Sequence, residues 1–456
     1  MKTASFILLF FFSIIQSFAQ DYEHFIMYGQ SLSTGHESGI TLSAQNIPGT
    51  YMIGSQIWIN YGNANLNELN PLSGRIALKA PDIIECPLLG AANHIRLKEK
   101  KKYNIIATSC GTSGKSIEDL SKESQVSNLY RDFSLTLESA SKIAKQENKS
   151  IHCPAIFWLQ GEWNYQGHGS GLSPDSKPTA DKDEYKKQML ILKENMQSDI
   201  KKMYGQPDSP VFYTYQVGAQ YTKGKEMAIG MAQLEASNEY KDIICAGPVY
   251  PCSDVGGHLD ANGYRWYGEM LAKVYYKTTI LKKDFKPLQP LKITRNKKNP
   301  NQIMIQFLVP KMPLVLDEHT LKKEKDYGFE IYNQNIKQEL TDIKIKKDCV
   351  ILSCSRELLG TIEVIYGGSN TKGHGNLRDS DKYKAFFSYE DLNKKDDNGN
   401  YIYPRKDNKI LVSKDEPRDK KGTVIYGKKY PLYNFSVAFY YVIPEGVSEY
   451  IIPNLK

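Results

Sequence analysis

Short apolar runs alternate with helical patterns from residue 21 to about residue 280, and this alternation constrains the fold more than any other feature of the chain. Residues 184–204 place apolar side chains at steps of three and four and end at Gly205, which predicts a helix. A second helix is predicted from Asn262, as its cap, to Tyr276. The predicted strands are HFIMYG (24–29), YNIIATS (103–109), AIFWLQ (155–160), VFYTYQV (211–217) and DIICAG (242–247). The pattern predicts an α/β domain with a mainly parallel sheet over residues 21–280.

The pattern changes after about Leu281, where short runs of Val, Ile, Tyr and Phe are separated by turn residues. The strand candidates are QIMIQFLV (302–309), YGFEIYN (327–333), TDIKI (341–345), CVILS (349–353), TIEVIYG (361–367) and NFSVAFYYVI (434–443). Because no long helical pattern lies between them, residues 291–456 are predicted to form a separate β-sandwich-like domain. Two prolines and several charges make residues 281–290 the predicted linker.

The first twenty residues have the composition of an export signal. One early lysine precedes an apolar run from Phe6 to Ile15, and Ser17 and Ala19 are the small residues expected before a cleavage site. The run is shorter than the ~20 apolar residues that cross a bilayer, and no other stretch approaches that length. We therefore expect an exported protein, periplasmic or secreted, without a membrane span.

Composition and charge narrow the class of protein. With 41% hydrophobic and 24% charged residues, the chain is expected to be globular. It carries 59 Lys and Arg against 51 Asp and Glu, and the basic excess lies after residue 280, where acidic residues are interspersed. Nucleic-acid binders concentrate basic residues on one face. The sequence therefore predicts no nucleic-acid partner.

Seven cysteines follow the export signal, and an odd number leaves at least one thiol unpaired. Cys110, Cys153 and Cys349 lie in apolar strand-like runs, where buried thiols are expected. Cys245 and Cys252, seven residues apart, are the first pair to test for a disulfide. No cysteine spacing resembles a zinc site.

The segment IMYGQSLSTG (26–35) has the features of a nucleophile turn. A nucleophilic serine needs to leave the end of a strand on a tight turn, where its oxygen is exposed and backbone N–H groups can meet an oxyanion. The apolar run from Phe25 to Tyr28 ends in Gly29, Gln30 and Ser31, and small residues follow. Ser31 is the candidate nucleophile, although the same pattern also occurs in ordinary turns.

Three further segments follow strands of the same domain and carry polar groups suited to acyl transfer. They are SCGTSGKSIEDL (109–120), IFWLQGEWN (156–164) and YPCSDVGGHLDANGYRWYGEML (250–271). Gly111 lets the backbone approach a ligand closely. Gln160 can present its amide to an oxyanion, and Glu162 is a carboxylate on the same turn. Asp254 and His258 lie in one loop, which could supply both a base and the carboxylate that orients it.

Four blocks of this chain resemble those of the SGNH (GDSL-like) hydrolases, and within them the sialate O-acetylesterase and acetylxylan-esterase-like branch of carbohydrate esterases. The blocks occur in the order GQS (29–31), GTS (111–113), WLQGE (158–162) and HLDANGYRWYGE (258–269). The resemblance covers residues 24–275. It implies a flavodoxin-like three-layer α/β/α sandwich that needs no cofactor and no metal.

The resemblance also implies roles for individual residues. Ser31 would be the nucleophile and His258 the general base. The oxyanion hole would comprise the N–H groups of Ser31 and Gly111 and the side chain of Gln160.

The acid of the triad departs from the family pattern. The family places it three residues before the histidine, where this chain has Val255. Asp254 is the first candidate, because Gly256 and Gly257 could let the loop bulge and return its carboxylate to the imidazole. Asp260 is the rival, although it is also explained by the positive N-terminus of the following helix. The third possibility is a dyad in which a backbone carbonyl holds the ring.

Glu162 and Trp163 are the candidate substrate-binding residues. Glu162 is not expected to be a glycosidase acid, since no second carboxylate completes such a pair; it is expected to bind the backbone of the Ser31 loop. Trp163 and Trp158 either line a sugar face or pack in the core. The polar loop 165–183 is either part of a substrate rim or an insertion without a role.

The expected protein is therefore an exported serine esterase that removes O-acetyl groups from a carbohydrate, which is its one expected partner. The sequence leaves open whether the glycan carries sialic acid or is another acetylated polysaccharide. Two alternatives remain open. One is an esterase or lipase that acts on non-sugar esters. The other is a catalytically inactive carbohydrate-binding protein, which only the departure at Val255 supports.

Overall fold

The computed structural model describes residues 21–60, 62, 65–74, 85–99, 103–166, 178–218, 222, 224–403 and 412–455. The predicted export signal, residues 1–20, lies outside these ranges, as do residues 167–177 of the predicted rim loop. No helix in the described ranges is long and apolar enough to cross a membrane.

The first part of the chain forms a mixed sheet and eight described helices. The strands are β1 (Tyr22–Gly29), β2 (Thr50–Ile53), β3 (Leu69–Pro71), β4 (Asn104–Ser109), β5 (Ile151–His152), β6 (Ala155–Leu159), β7 (Val211–Gln216) and β8 (Ile243–Pro248). The helices are α1 (Ser31–Thr34), α2 (Pro87–Glu99), α3 (Ile117–Leu120), α4 (Tyr130–Gln146), α5 (Glu162–Gln166), α6 (Lys182–Tyr204), α7 (Ala228–Glu239) and α8 (Ala261–Tyr275). A π-helical turn, Tyr276–Ile280, follows α8.

The strand order of this sheet is β3-β2-β4-β1-β6-β7-β8, and the short strand β5 also pairs with β1. Only β3 runs antiparallel to its neighbour. The five strands from β4 to β8 along this order follow the chain as 2-1-3-4-5, which is the flavodoxin-like order. The predicted parallel α/β fold is confirmed.

Side chains of the central strand β1 show how helices cover both faces of the sheet. Phe25 packs edge-on against Tyr275 of α8, with ring centroids 5.1 Å apart. Tyr28, three positions along, packs against Tyr130 and Phe133 of α4. Residues an odd number of positions apart on a strand point to opposite faces. Helices α8 and α4 therefore lie on opposite sides, and the predicted three-layer arrangement is confirmed.

The two helices predicted from periodicity are present with small changes at their ends. Helix α6 begins after Asp181, whose carboxylate accepts the N–H of Glu184, and ends at Gly205 in the left-handed conformation. Helix α8 is capped by Asp260 and not by Asn262 as predicted. Asn262 is not available as a cap, because its side-chain amide exchanges two hydrogen bonds with the backbone of Glu390.

The second part of the chain contains the predicted β-sandwich. Its strands are β9 (Gln289–Arg295), β10 (Gln302–Leu308), β11 (Val315–Leu316), β12 (Phe329–Asn333), β13 (Ile336–Lys337), β14 (Leu340–Lys346), β15 (Cys349–Cys354), β16 (Ile362–Tyr366), β17 (Leu377–Arg378), β18 (Lys384–Ser388), β19 (Lys429–Pro431), β20 (Phe439–Ile443) and β21 (Glu449–Ile451). Sheets β14-β15-β10-β9-β21 and β13-β12-β16-β20 enclose one apolar core. Short 3₁₀ turns lie at Lys325–Gly328 and Ser369–Thr371.

Part of this second region, residues 381–403 and 412–434, packs against the α/β core. Tyr430 stacks on Trp266 of α8, and the same apolar core contains Ala385 and Leu432. Lys273, also on α8, lies 2.7 Å from the Asp381 carboxylate. Residues after the predicted linker therefore contribute to both cores.

All seven cysteines are free thiols. Cys245 and Cys252, the pair singled out by spacing, are both buried and unbonded. Cys110 and Cys153 are fully buried, as expected for apolar strand-like runs, whereas Cys349 is half-buried.

Candidate active site

Four of the predicted site segments meet at one edge of the sheet. Ser31 follows β1, Gly111 follows β4, Gln160 follows β6, and His258 lies in the loop between β8 and α8. Because these strands are parallel, their carboxyl ends share an edge. Open α/β sheets bind ligands at this edge, where neighbouring strands connect in opposite directions.

The structure brings Ser31 and His258 together, although 227 residues separate them in the chain. The Oγ atom of Ser31 lies 2.8 Å from Nε2 of His258. An imidazole with its proton on Nδ1 can accept the serine hydroxyl proton at Nε2. This is the contact that a serine nucleophile and its general base require.

The local sequence explains why Ser31 stands at the strand end. Gly29 has φ +148°, and a Cβ there would lie 2.1 Å from the carbonyl oxygen of Leu159, so only glycine fits. Ser31 is the first residue of α1, and Gly35 ends that helix in the left-handed conformation at φ +82°. The first N–H groups of a helix have no intrahelical acceptor. The Ser31 N–H is therefore available to a ligand.

Glu37 makes the contact with His258 that the sequence predicted for Asp254. Its Oε2 atom lies 2.7 Å from Nδ1 of His258, on the opposite side of the ring from Ser31. Glu37 is six residues after Ser31 in the turn that follows α1, and its φ is +62°. The sequence offered one indication of this role, since Glu37 is the first carboxylate after the candidate nucleophile.

The structure does not bring Asp254 to the imidazole, so the predicted contact is wrong. The Asp254 carboxylate accepts the N–H of Gly256 at 2.8 Å and faces Nε2 of His374 at 3.7 Å. The Val255 N–H donates to the His258 carbonyl, which closes a tight turn between the two residues. The glycines therefore fold this loop back on itself and do not return Asp254 to the ring.

Asp260, the rival candidate, caps helix α8. Its fully buried carboxylate accepts the N–H of Gly263 at 2.8 Å and the hydroxyl of Ser253 at 2.6 Å. Burial raises its pKa to about 6, although these hydrogen bonds oppose the shift. Both contacts stabilise the start of the helix.

We expect Asp260→Ala to lower the free energy of unfolding by about 1–2 kcal/mol, because a cap and a buried hydrogen bond are lost. Asp260→Asn, which keeps one acceptor oxygen, should lose less. Urea unfolding of the two variants measures the difference. An Asp260→Asn variant with normal stability and no activity would contradict the structural role.

The backbone around Gly111 leaves a second N–H group beside Ser31. A Cβ at Gly111 would lie 2.1 Å from Oγ of Ser33 and 2.4 Å from the carbonyl oxygen of Gly29, so no side chain fits. Trp58 donates its indole N–H to the Gly111 carbonyl at 2.8 Å. In the part of the chain that the structure describes, the Gly111 N–H has no acceptor.

The side chain of Gln160 is committed elsewhere and does not serve as a free amide donor. Its Nε2 donates to Asn164 and to the Lys115 carbonyl, and its Oε1 accepts the hydroxyl of Tyr185. It is fully buried. The strand β6 places the side chain inside the turn, where a buried amide needs these partners.

Gln30 was missed by sequence reasoning and has the free amide instead. Its Oε1 accepts the N–H groups of Gly161 and Trp163, each at 3.1 Å. Because two donors fix the oxygen, the opposite atom is the NH₂ group. No acceptor for that group occurs among the described residues. Its place directly before Ser31 in the GQS block was the available signal.

Glu162 is buried and takes a hydrogen bond from the hydroxyl of Tyr215. Burial raises the pKa of Glu162 to about 7, although that hydrogen bond lowers it. The expected bond from Glu162 to the backbone of the Ser31 loop is not present; the two turns are joined instead by the Gln30 side chain, which accepts the N–H groups of Gly161 and Trp163. Trp163 is half-buried near Gly114, whereas Trp158 is fully buried between Tyr28 and Phe212 and belongs to the core.

The surroundings of His258 favour a neutral imidazole. Burial lowers its pKa below the ordinary 6.5, Glu37 raises it, and His36 lowers it, with a net decrease. The rings of His36 and His258 lie 4.9 Å apart. A neutral ring is the form that can accept a proton.

No group of three or more His, Cys, Asp or Glu side chains is arranged to hold a metal ion within the ranges described above. His168, in the predicted rim loop, lies outside those ranges.

Comparison with known proteins gives one family. Residues 21–277 match the family described as SASA, "Carbohydrate esterase, sialic acid-specific acetylesterase". No curated protein matches the chain.

Solved structures similar to this chain include carbohydrate esterases. A carbohydrate acetylesterase from Xanthomonas citri is 14% identical with a TM-score of 0.54, over 78% of this chain and 77% of that one. NanS is 11% identical with a TM-score of 0.40, over 58% of this chain and 99% of that one. Axe2, an acetylxylan esterase from Geobacillus stearothermophilus, is 9% identical with a TM-score of 0.31, over 57% and 94%. The first of these supports the fold.

Proposed function

Because this chain belongs to the sialic acid-specific acetylesterase family of carbohydrate esterases, and therefore hydrolyses O-acetyl esters on sugars, we propose that it does so through a serine acyl-enzyme. The single observation that carries this proposal is the chain of two contacts, Ser31 to His258 at 2.8 Å and His258 to Glu37 at 2.7 Å. It is the geometry of a nucleophile, a base and an orienting carboxylate.

In the proposed reaction, Oγ of Ser31 attacks the ester carbonyl while Nε2 of His258 takes the hydroxyl proton. Glu37 keeps the other ring proton on Nδ1 and stabilises the imidazolium that forms. The tetrahedral intermediate collapses, and His258 returns the proton to the departing sugar oxygen. A water molecule, deprotonated by His258, then attacks the acetyl-enzyme. The second tetrahedral intermediate breaks the bond between the acyl carbon and Oγ of Ser31, His258 returns the proton to that Oγ, and acetate leaves.

The N–H groups of Ser31 and Gly111 would hold the oxyanion of both intermediates. The Gln30 amide is the third donor in this proposal, in place of Gln160. Preorganised donors stabilise charge that develops in the transition state, which is where they accelerate the reaction.

The proposed location is outside the inner membrane, periplasmic or secreted, and only the amino-terminal sequence supports it. The substrate-binding role of Trp163 likewise remains a proposal. The 2.7 Å contact between Glu37 and Nδ1 of His258 supports the proposed triad over the alternative of a catalytically inactive carbohydrate-binding protein.

Acetate release tests the proposal. We expect release from O-acetylated sialic acid or another acetylated glycan, and from 4-nitrophenyl acetate, with long-chain aryl esters cleaved far more slowly. Equal activity on long-chain and acetyl esters would instead favour a lipase.

We expect Gln30→Ala to lower kcat on 4-nitrophenyl acetate by about 10²- to 10³-fold, the usual cost of one oxyanion donor. Gln160→Ala, the matched control, should lower stability more than kcat, since its amide holds a buried turn. Kinetics and thermal unfolding of both variants separate the effects. A larger kcat loss in Gln160→Ala would restore Gln160 as the donor.

The rate should fall on the acid side as His258 is protonated. Since the pKa of His258 is lowered, half of the maximal kcat/KM should be reached below pH 6.5. In Glu37→Gln the carboxylate that raises this pKa is absent, so the residual activity should shift to still lower pH. A pH profile of both proteins checks the direction, and a shift to higher pH would contradict it.

A further inference from the structure

Two loops, one from each part of the chain, enclose the space beside the candidate nucleophile. A small cavity is lined by Leu32, directly after Ser31, and by Gly257, directly before His258. Lys372 and His374 of the β-sandwich line the same cavity. These two residues lie outside the segment 21–277 that matches the esterase family. The β-sandwich therefore contributes a wall to a cavity that adjoins the candidate site.

The same wall continues into a larger cleft of about 540 Å³. On one side it is lined by Ser253 and Asp254 of the histidine loop, and on the other by Asn370, Lys372 and His374. A cleft of this volume is within the range that holds small-molecule ligands. It shares Asp254, Lys372 and His374 with the small cavity, and through that cavity it adjoins the residues next to Ser31 and His258.

The turn that carries Lys372 is held in a defined conformation. Lys372 has φ +52°, a backbone conformation that costs energy for a side-chain-bearing residue. Gly373 donates its N–H to Gly368, and the Nδ1–H of His374 donates to the Lys372 carbonyl at 2.9 Å. The opposite ring atom, Nε2, faces Asp254 at 3.7 Å. The histidine thus fixes the lysine turn against the catalytic loop.

Among the described residues, Lys372 is the lysine that lines both the small cavity and the larger cleft, whereas Lys322, Lys414 and Glu324 line the cleft alone. Asp254 is paired with His374 and with the Gly256 N–H, and Glu162 is bonded to Tyr215. Lys322 lies 3.9 Å from Asp415, which also lines the cleft. Among the described residues, Lys372 forms no ion pair.

We propose that Lys372 is a specificity residue that binds the carboxylate of an acidic acetylated sugar and thereby makes the β-sandwich part of the substrate site. This inference rests on the proposed esterase function. An ammonium pairs with a carboxylate through charge-assisted hydrogen bonds. The position of the cavity places such a carboxylate beside the residues that flank Ser31 and His258.

Product inhibition tests this inference separately from the chemistry. Free sialic acid and its methyl ester, which lacks the charge, are compared as inhibitors of 4-nitrophenyl acetate hydrolysis. We expect the acid to inhibit the wild type about tenfold better than the ester, as one charged contact implies. Lys372→Ala should lose this preference and keep its kcat on the aryl acetate, and Lys372→Arg should retain the preference.

Lys347→Ala is the matched control, because Lys347 is also exposed and left-handed, at φ +57°, but lies in the turn between β14 and β15. Lys347→Ala should be inhibited by the acid and by the methyl ester to the same extents as the wild type. Equal inhibition of the wild type by acid and ester, or a preference that survives in Lys372→Ala, would overturn the inference. Failure of the esterase proposal would show differently, as a wild type without aryl acetate hydrolysis.

Discussion

Replacing Ser31 with alanine is expected to lower kcat on 4-nitrophenyl acetate by about four to six orders of magnitude. The variant lacks the oxygen that would form the acyl-enzyme, and no neighbouring group takes its place. The thermal unfolding temperature should change little, since Ser31 Oγ makes one recorded contact, with His258. A stopped assay with purified protein measures the loss.

Ser33→Ala is a suitable control for this experiment. Its hydroxyl lies two residues away and donates to the Gln30 carbonyl, so it belongs to the same turn without touching His258. It should retain most activity. If Ser31→Ala kept more than a tenth of wild-type kcat, the serine mechanism would be wrong.

Glu37→Gln should have the second largest effect, a loss of about 10³- to 10⁴-fold in kcat. A glutamine can present its NH₂ group to Nδ1 and so favour the tautomer with its proton on Nε2, which cannot accept the serine proton. The stability change should be small, because 40% of the Glu37 side chain is exposed.

Asp254→Asn is the comparison that separates the two candidate acids. Asparagine can still accept the Gly256 N–H, so we expect activity on the aryl acetate within about threefold of the wild type. If the two variants gave the reverse pattern, Asp254 would be the orienting acid. Near-normal rates in both would fit a Ser31–His258 dyad.

Local sequence patterns predicted the parts of this molecule that depend on local physics. Apolar runs bounded by turn residues predicted the central strands, and the strand end before Ser31 predicted where a nucleophile would stand. Since parallel strands share an edge, the loops containing Gly111 and His258 could be expected near Ser31. The sandwich strands followed from the same reasoning.

The features that were missed depend on contacts between distant segments. Glu37 reaches His258 across 221 positions of the chain. Choosing between Asp254 and Glu37 requires the direction of each side chain, which a spacing rule does not contain. Likewise, the local sequence favours Asn262 as the cap of helix α8, and this prediction is wrong. The backbone of Glu390, with which Asn262 pairs, lies 128 positions away and leaves no mark on the local pattern.

Helix α8 ties the order of synthesis to the completion of the hydrolase core. Its buried Arg265 donates to the Ser388 carbonyl and to the Tyr430 hydroxyl, and its buried Lys273 donates to the Leu432 carbonyl. This set of partners is complete only after residue 432 has been synthesised. A nascent chain that ends near residue 290 would lack these partners and also Tyr430, Ala385 and Leu432, so the apolar surface that they cover, including the Trp266 ring, would be exposed to water. The catalytic half is therefore expected to reach its native state only after nearly the whole polypeptide has been made, so an exported chain would fold after translocation.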